Sequence, residues 1–176
     1  MSTKDFDNRE AIWTAAINGD WGTVKQLLER EQSLIDVIGT FEIIARVITH
    51  FEATLLHVAV VKCPNTEILK YLVSQGANVN AKAMLFTPLH LAAQWNTNVD
   101  VVKYLVSKGA NINATNVDEN TPLHFAARYN SNAEILKYLV SKDADVNSIN
   151  LFGLTPFDYA KGRENRRFLR ECMQNK

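Results

Sequence analysis

The chain has 176 residues, 47% hydrophobic and 22% charged, with 19 basic and 19 acidic side chains that cancel. That composition excludes a disordered chain, and the zero net charge gives no global pull toward nucleic acid or an anionic membrane. Its two cysteines, Cys63 and Cys172, are distant and in no C-x-x-C pair, which excludes a disulfide framework and a cysteine zinc site and points to a reducing, cytoplasmic localisation.

The first residues, MSTKDFDNRE, are polar and lack the apolar core of a secretory signal, and no apolar run approaches a membrane span. Residues 12–29, IWTAAINGDWGTVKQLLE, are a weak copy of a pattern that becomes plain downstream. The stretch VIGTFEIIARVITHFEA, residues 37–53, follows and is dense in Val, Ile and Phe. Phe41, Ile44, Val47, Ile48 and Phe51 recur there at helical spacing, with Glu42, Arg46 and Glu52 off that stripe. The spacing predicts an added amphipathic helical turn or two. An elongated β-hairpin is the competing reading, because so many of these residues are β-branched.

Four motifs then recur in register. TLLHVAVVK begins at Thr54, TPLHLAAQW at Thr87, TPLHFAARY at Thr121 and TPFDYAKGR at Thr155, with steps of 33, 34 and 34 residues. The second half of each unit repeats as EILKYLVSQGANVNA, DVVKYLVSKGANINA and EILKYLVSKDADVNS. Each unit reads as two short helices and a turn. Pro88 and Pro122 suit the first helical position, where the missing N–H costs nothing. Gly76 and Gly109 suit the left-handed C-cap, and Asp143 replaces that glycine in the next copy. In the last unit Phe168, Leu169 and Cys172 can pack inward, while Arg163, Arg166, Arg167 and Arg170 fall on one face and read as the solvated side of a cap.

The motif T-P-L-H-x-A-A, two helices and G-A-x-V-N-A resemble the ankyrin repeat family, over residues 11 to about 173. The resemblance implies a single domain, 1–176: an all-α ankyrin-repeat solenoid of helix-turn-helix units with β-turn fingers. Three full repeats (54–86, 87–120, 121–154) would lie between degenerate capping repeats at 10–36 and 155–176, with 37–53 as an apolar insertion. The copies carry one residue more than the usual unit between their helices, and the finger at 81–86 gives one back.

Catalytic constellations are missing from the sequence. No phosphate loop, dinucleotide fingerprint, H-E-x-x-H or G-x-S-x-G occurs, so the reading is not an enzyme, with no cofactor and no metal. His57, His90 and His124 recur at repeat spacing. Stacked helices sit roughly 8–10 Å apart, too far for equivalent histidines to share one zinc. A hydrogen-bonding role inside each repeat is the expectation.

Function should then sit where packing leaves the residue type free. By resemblance these places are the finger tips and the ends of the first helices. They hold Lys62, Gln94, Trp95, Arg128 and Tyr129 at the helix ends, and Met84, Phe86, Val117, Asp118, Leu151 and Phe152 on the fingers. Trp, Tyr and Arg dominate interface energetics, and apolar residues are unusual in turns. The expected function is a non-catalytic module binding another protein, monomeric, with no nucleic acid and no membrane. The alternatives are a self-assembling scaffold that uses 37–53 or the charged ends, and a substrate for asparagine hydroxylation. The second rests on Asn80, Asn113 and Asn147, which are similar to asparagines that a dioxygenase hydroxylates in some ankyrin proteins.

Overall fold

A computed structural model describes residues 3–42, 50–63, 65–83 and 86–174. Helices α1 (Thr3–Asn18) and α2 (Trp21–Arg30) form the first pair, followed by a 3-10 turn at Gln32–Asp36. The next pairs are α3 (Leu55–Lys62) with α4 (Glu67–Ser74), α5 (Pro88–Trp95) with α6 (Val99–Ser107), and α7 (Pro122–Tyr129) with α8 (Ala133–Ser141). Helix α9 (Pro156–Tyr159), only four residues long, and α10 (Arg163–Gln174) close the array. The first helices stack in chain order, α1 on α3, α3 on α5, α5 on α7 and α7 on α9, and α6, α8 and α10 stack behind them.

Local chemistry sets these boundaries. Thr54, Thr87, Thr121 and Thr155 are extended N-caps, and proline follows three of them at the first helical position. At the other end Ala77 N donates to Leu72 O and Ala110 N to Leu105 O, both at 3.0 Å, across Gly76 (φ 100) and Gly109 (φ 86). Asp143 takes the same left-handed conformation at φ 65, and Ala144 N still reaches Leu139 O at 3.0 Å. One continuous core runs the length of the stack, with Leu56, Leu89, Leu123 and Leu169 at its centre, each fully buried. Alanines at Ala59, Ala92, Ala93, Ala126 and Ala127 are also buried and let the first helices approach closely.

The insertion is not helical where it is described. Ile38–Glu42 (β1) and His50–Thr54 (β2) pair antiparallel, in register from Ile38 opposite Thr54 to Glu42 opposite His50. The competing hairpin is therefore the right form, and the helical expectation fails over both strands. Ile44, Val47 and Ile48, three members of the helical stripe, lie outside the described residues. The deciding contact is long-range. A Cβ built on Gly39 would come within 2.3 Å of the Trp13 ring, so β1 lies with its backbone against the indole of α1. Val37 and Ala53, at the base of the hairpin, are buried in the common core. The base of the insertion thus covers the first helix pair, whose own second helix buries only Val24 and Leu28. Gly39→Val is expected to cost about 1–3 kcal/mol by overpacking against Trp13. Urea unfolding measures it, and Trp13→Ala should make the same change nearly neutral.

Candidate functional site

The last two fingers are each built by a side chain that mimics backbone. Asn116 Oδ1 accepts from Asp118 N (3.1 Å) and Asn120 N (2.8 Å), and Asn116 N donates to Asn120 O (3.1 Å). Asn150 repeats the arrangement with Phe152 N and Leu154 N, both at 3.0 Å. In the first finger the closing pair is Ala83 with Phe86, which bond each other at 2.8 and 2.9 Å. That finger is one residue shorter, which accounts for the 33-residue step. Met84 lies outside the described residues.

The histidines tie each finger to the first helix of its own repeat. Thr54 N donates to His57 Nδ1 at 3.2 Å, and Nε2 of the same ring lies 3.0 Å from Phe86 O. His90 bridges Thr87 N and Asn120 O, and His124 bridges Thr121 N and Leu154 O. Because Nδ1 accepts from an N–H, Nε2 must carry the proton and donate, so each ring is neutral. Burial pushes His57 and His90 down to about 4, and lowers His124 as well. Both nitrogens are thus committed inside the framework, and no metal-holding group of three or more His, Cys, Asp or Glu occurs among the described residues. In the last repeat Asp158 stands in for histidine and accepts from Thr155 N at 2.8 Å. With no described finger beyond it, a carboxylate is enough.

With fingers and helices so fixed, aromatic rings line up across three repeats. Phe86 packs on Phe125 with centroids 5.4 Å apart, and Phe125 stacks on Tyr129, one turn further along α7, at 6.2 Å and 21°. The Arg128 guanidinium carbon lies 5.0 Å from the Tyr129 ring and 4.8 Å from the Tyr159 ring. Lys161 Nζ is 5.8 Å from Tyr129. Phe86, Phe125, Arg128, Tyr129, Tyr159 and Asp118 surround a cleft of about 140 Å³. It is floored by Phe125 and His124 and open along Tyr129, which is 43% exposed. Beside it Leu151 N donates to Asp118 O at 3.0 Å, so the last two fingers are joined at their tips. Val117, Leu151 and Phe152 are exposed there, the last two by 61% and 65%.

Phe86, Asp118, Arg128 and Tyr129, four of the residues singled out in the sequence, therefore meet in one cleft, with Val117, Leu151 and Phe152 on the fingers next to it. Trp95 and Gln94 are half-buried at the end of α5, and the Trp95 ring packs against the core. Lys62 lines a separate groove with Trp21, Lys25 and Cys63, toward the first repeat. Phe125 and Tyr159 were missed. Their signal was present: the fifth position of successive motifs reads Val58, Leu91, Phe125 and Tyr159, growing larger and then aromatic toward the cleft. The arginines of α10 are dispersed rather than gathered. Arg166 donates to Ala160 O at 2.9 Å, Arg167 pairs with Glu171 at 2.8 Å, and Arg170 covers Phe157 at 5.4 Å.

Two family profiles described as ankyrin repeats match the sequence, one over residues 12–116 and one over residues 105–160. The chain belongs to the ankyrin repeat family. No curated protein matches it. Ankyrin repeats are generally non-catalytic protein–protein interaction modules. Within this ankyrin stack Asn80 and Asn113 join neighbouring repeats. The Asn80 amide donates to Gly109 O (2.9 Å) and accepts from Asn111 N (2.8 Å), and Asn113 does the same with Asp143 O and Asp145 N. No helix among the described residues is long and apolar enough to cross a membrane.

Proposed function

We propose that this ankyrin chain binds a protein partner through the aromatic cleft at its third and fourth stacked repeats, with the tips of the last two fingers as the adjoining contact. The observation that supports it most is a cleft lined by exposed Tyr129 and by Asp118, beside which the finger tips leave Val117, Leu151 and Phe152 exposed. An apolar patch on finger loops, which turn chemistry does not require, marks a contact surface. Packing of the stack is carried by the buried leucines and alanines, so these exposed rings are free to serve recognition.

The test is affinity capture from the source cell with immobilised chain, run beside a Tyr129→Ala, Phe152→Ala variant checked by circular dichroism. Both rings are substantially exposed, so the variant should fold. Recovery of the specific partner is expected to fall about ten-fold or more, as loss of a central aromatic does at interfaces. Equal recovery by both forms would clear this surface of the role.

A further inference from the structure

We infer that the partner presents an acidic peptide segment, with its carboxylates on the α7–α10 side of the cleft and an apolar side chain toward the fingers. This rests on the interaction reading above and adds the chemistry of the ligand. Arg128, Lys161 and Arg163 are exposed and line one groove that continues from the cleft along the start of α10. None of the three forms an ion pair among the described residues. The carboxylate nearest in sequence, Glu164, is held by Lys137 at 2.9 Å. The groove is therefore lined by three cations against one carboxylate, and that carboxylate pairs with Lys137, which also holds Glu134 at 3.1 Å.

The way two of these cations are held favours a carboxylate. Arg128 lies over two tyrosine rings and Lys161 over one of them, which fixes the long side chains at low entropic cost. The Arg128 guanidinium makes no ion pair among the described residues, so its N–H donors remain for a carboxylate, which a guanidinium takes with two parallel bonds. Stacking has also removed part of the water that an ion pair would otherwise have to displace. Across the cleft, Asp118 stands on the finger wall. It repels a continuous polyanion such as a nucleic acid strand and leaves the finger side to an apolar or basic residue. Beside it Leu151 and Phe152 supply the apolar half of the contact.

A library of random dodecapeptides displayed on phage, panned against the full chain, tests this directly. Enriched peptides should be rich in Asp and Glu next to an aromatic or aliphatic residue. As synthetic peptides they should bind about ten-fold more weakly to the Arg128→Gln, Lys161→Gln variant, and more weakly as salt rises from about 0.05 to about 0.3 M. Lys103→Gln, on α6, should leave binding unchanged. Neutral or basic peptides that still require Tyr129 would overturn the acidic segment and leave the interaction surface standing. No enrichment, or binding indifferent to Tyr129 and both cations, would overturn both. A single-stranded oligonucleotide that bound more tightly than the best acidic peptide would also overturn the inference.

Discussion

Acidifying the protein from about pH 7.5 to about pH 5 is expected to remove on the order of 4 kcal/mol of stability, about 2 kcal/mol from each of His57 and His90. Both rings are fully buried and lie near a pKa of about 4, against an ordinary value of 6.5. Between those values the unfolded chain binds protons that the native chain refuses, so stability is full above about 6.5 and drains as the pH falls toward 4. The cause is structural as well as dielectric. A second proton on the ring would set an Nδ1–H against the Thr54 or Thr87 N–H that Nδ1 now accepts from. His124, shifted in the same direction, adds to the slope. Urea unfolding at pH 7.5, 6 and 5 measures the loss. His90→Gln should start less stable at pH 7.5 yet show a shallower dependence, because one of the silent sites is gone. A flat profile from pH 7.5 to 5 would mean that the rings do not act as neutral clamps.

The same clamps explain why the fold was legible from so little. Thr-x-x-His is at once a helix start, a reciprocal cap and a bond to the next finger, so its recurrence marks helix boundaries and stacking order together. The left-handed glycines Gly76 and Gly109 close each unit as sharply as the prolines open it. The hairpin was not legible in this way. A run as dense in Val, Ile and Phe as residues 37–53 satisfies a helical stripe and a strand alternation equally well. The choice was made by Gly39 lying against Trp13, two residues far apart in sequence whose meeting no local pattern announces.

At the candidate site the boundary of legibility falls between free and framework positions. Arg128 and Tyr129 stood out because the repeat does not need them. Phe125 and Tyr159 occupy a framework position, the residue after His or Asp in each motif, and were passed over for that reason. The structure gives that position two jobs. In the earlier repeats Val58 and Leu91 are buried in the core, whereas Phe125 and Tyr159 also line the cleft. Trp95 errs the other way: a free position filled by a large ring can still fold back onto its neighbours, and its indole Nε1 is buried without an acceptor.

Replacing Asn96 or Asn130 with alanine is expected to cost about 2–4 kcal/mol each, although neither is in the leucine core. Each caps the first helix of its repeat, in the short connector that leads to the second. Asn96 Nδ2 donates to Val60 O (2.8 Å) and Cys63 O (3.2 Å) of the preceding repeat, and its Oδ1 accepts from Asn98 N (2.8 Å). Asn130 does the same one repeat on, with Ala93 O (2.8 Å), Asn96 O (2.9 Å) and Asn132 N (2.8 Å). Both side chains are buried, so alanine would leave two carbonyls and one amide without a partner and largely without water. By contrast Asn80→Ala, which breaks a more accessible clamp, should cost about 1 kcal/mol, since water can replace its bonds. Because Asn130 bonds the backbone of Asn96 itself, the two losses should couple, and the double variant should fall short of the sum. Chemical denaturation of the two single variants, the double and Asn80→Ala separates these outcomes. If Asn130→Ala were no worse than Asn80→Ala, the inter-helix asparagine would be only a spacer. A larger loss would make the asparagine ladder a second seam of the stack, on the helix side, complementing the histidine seam along the fingers.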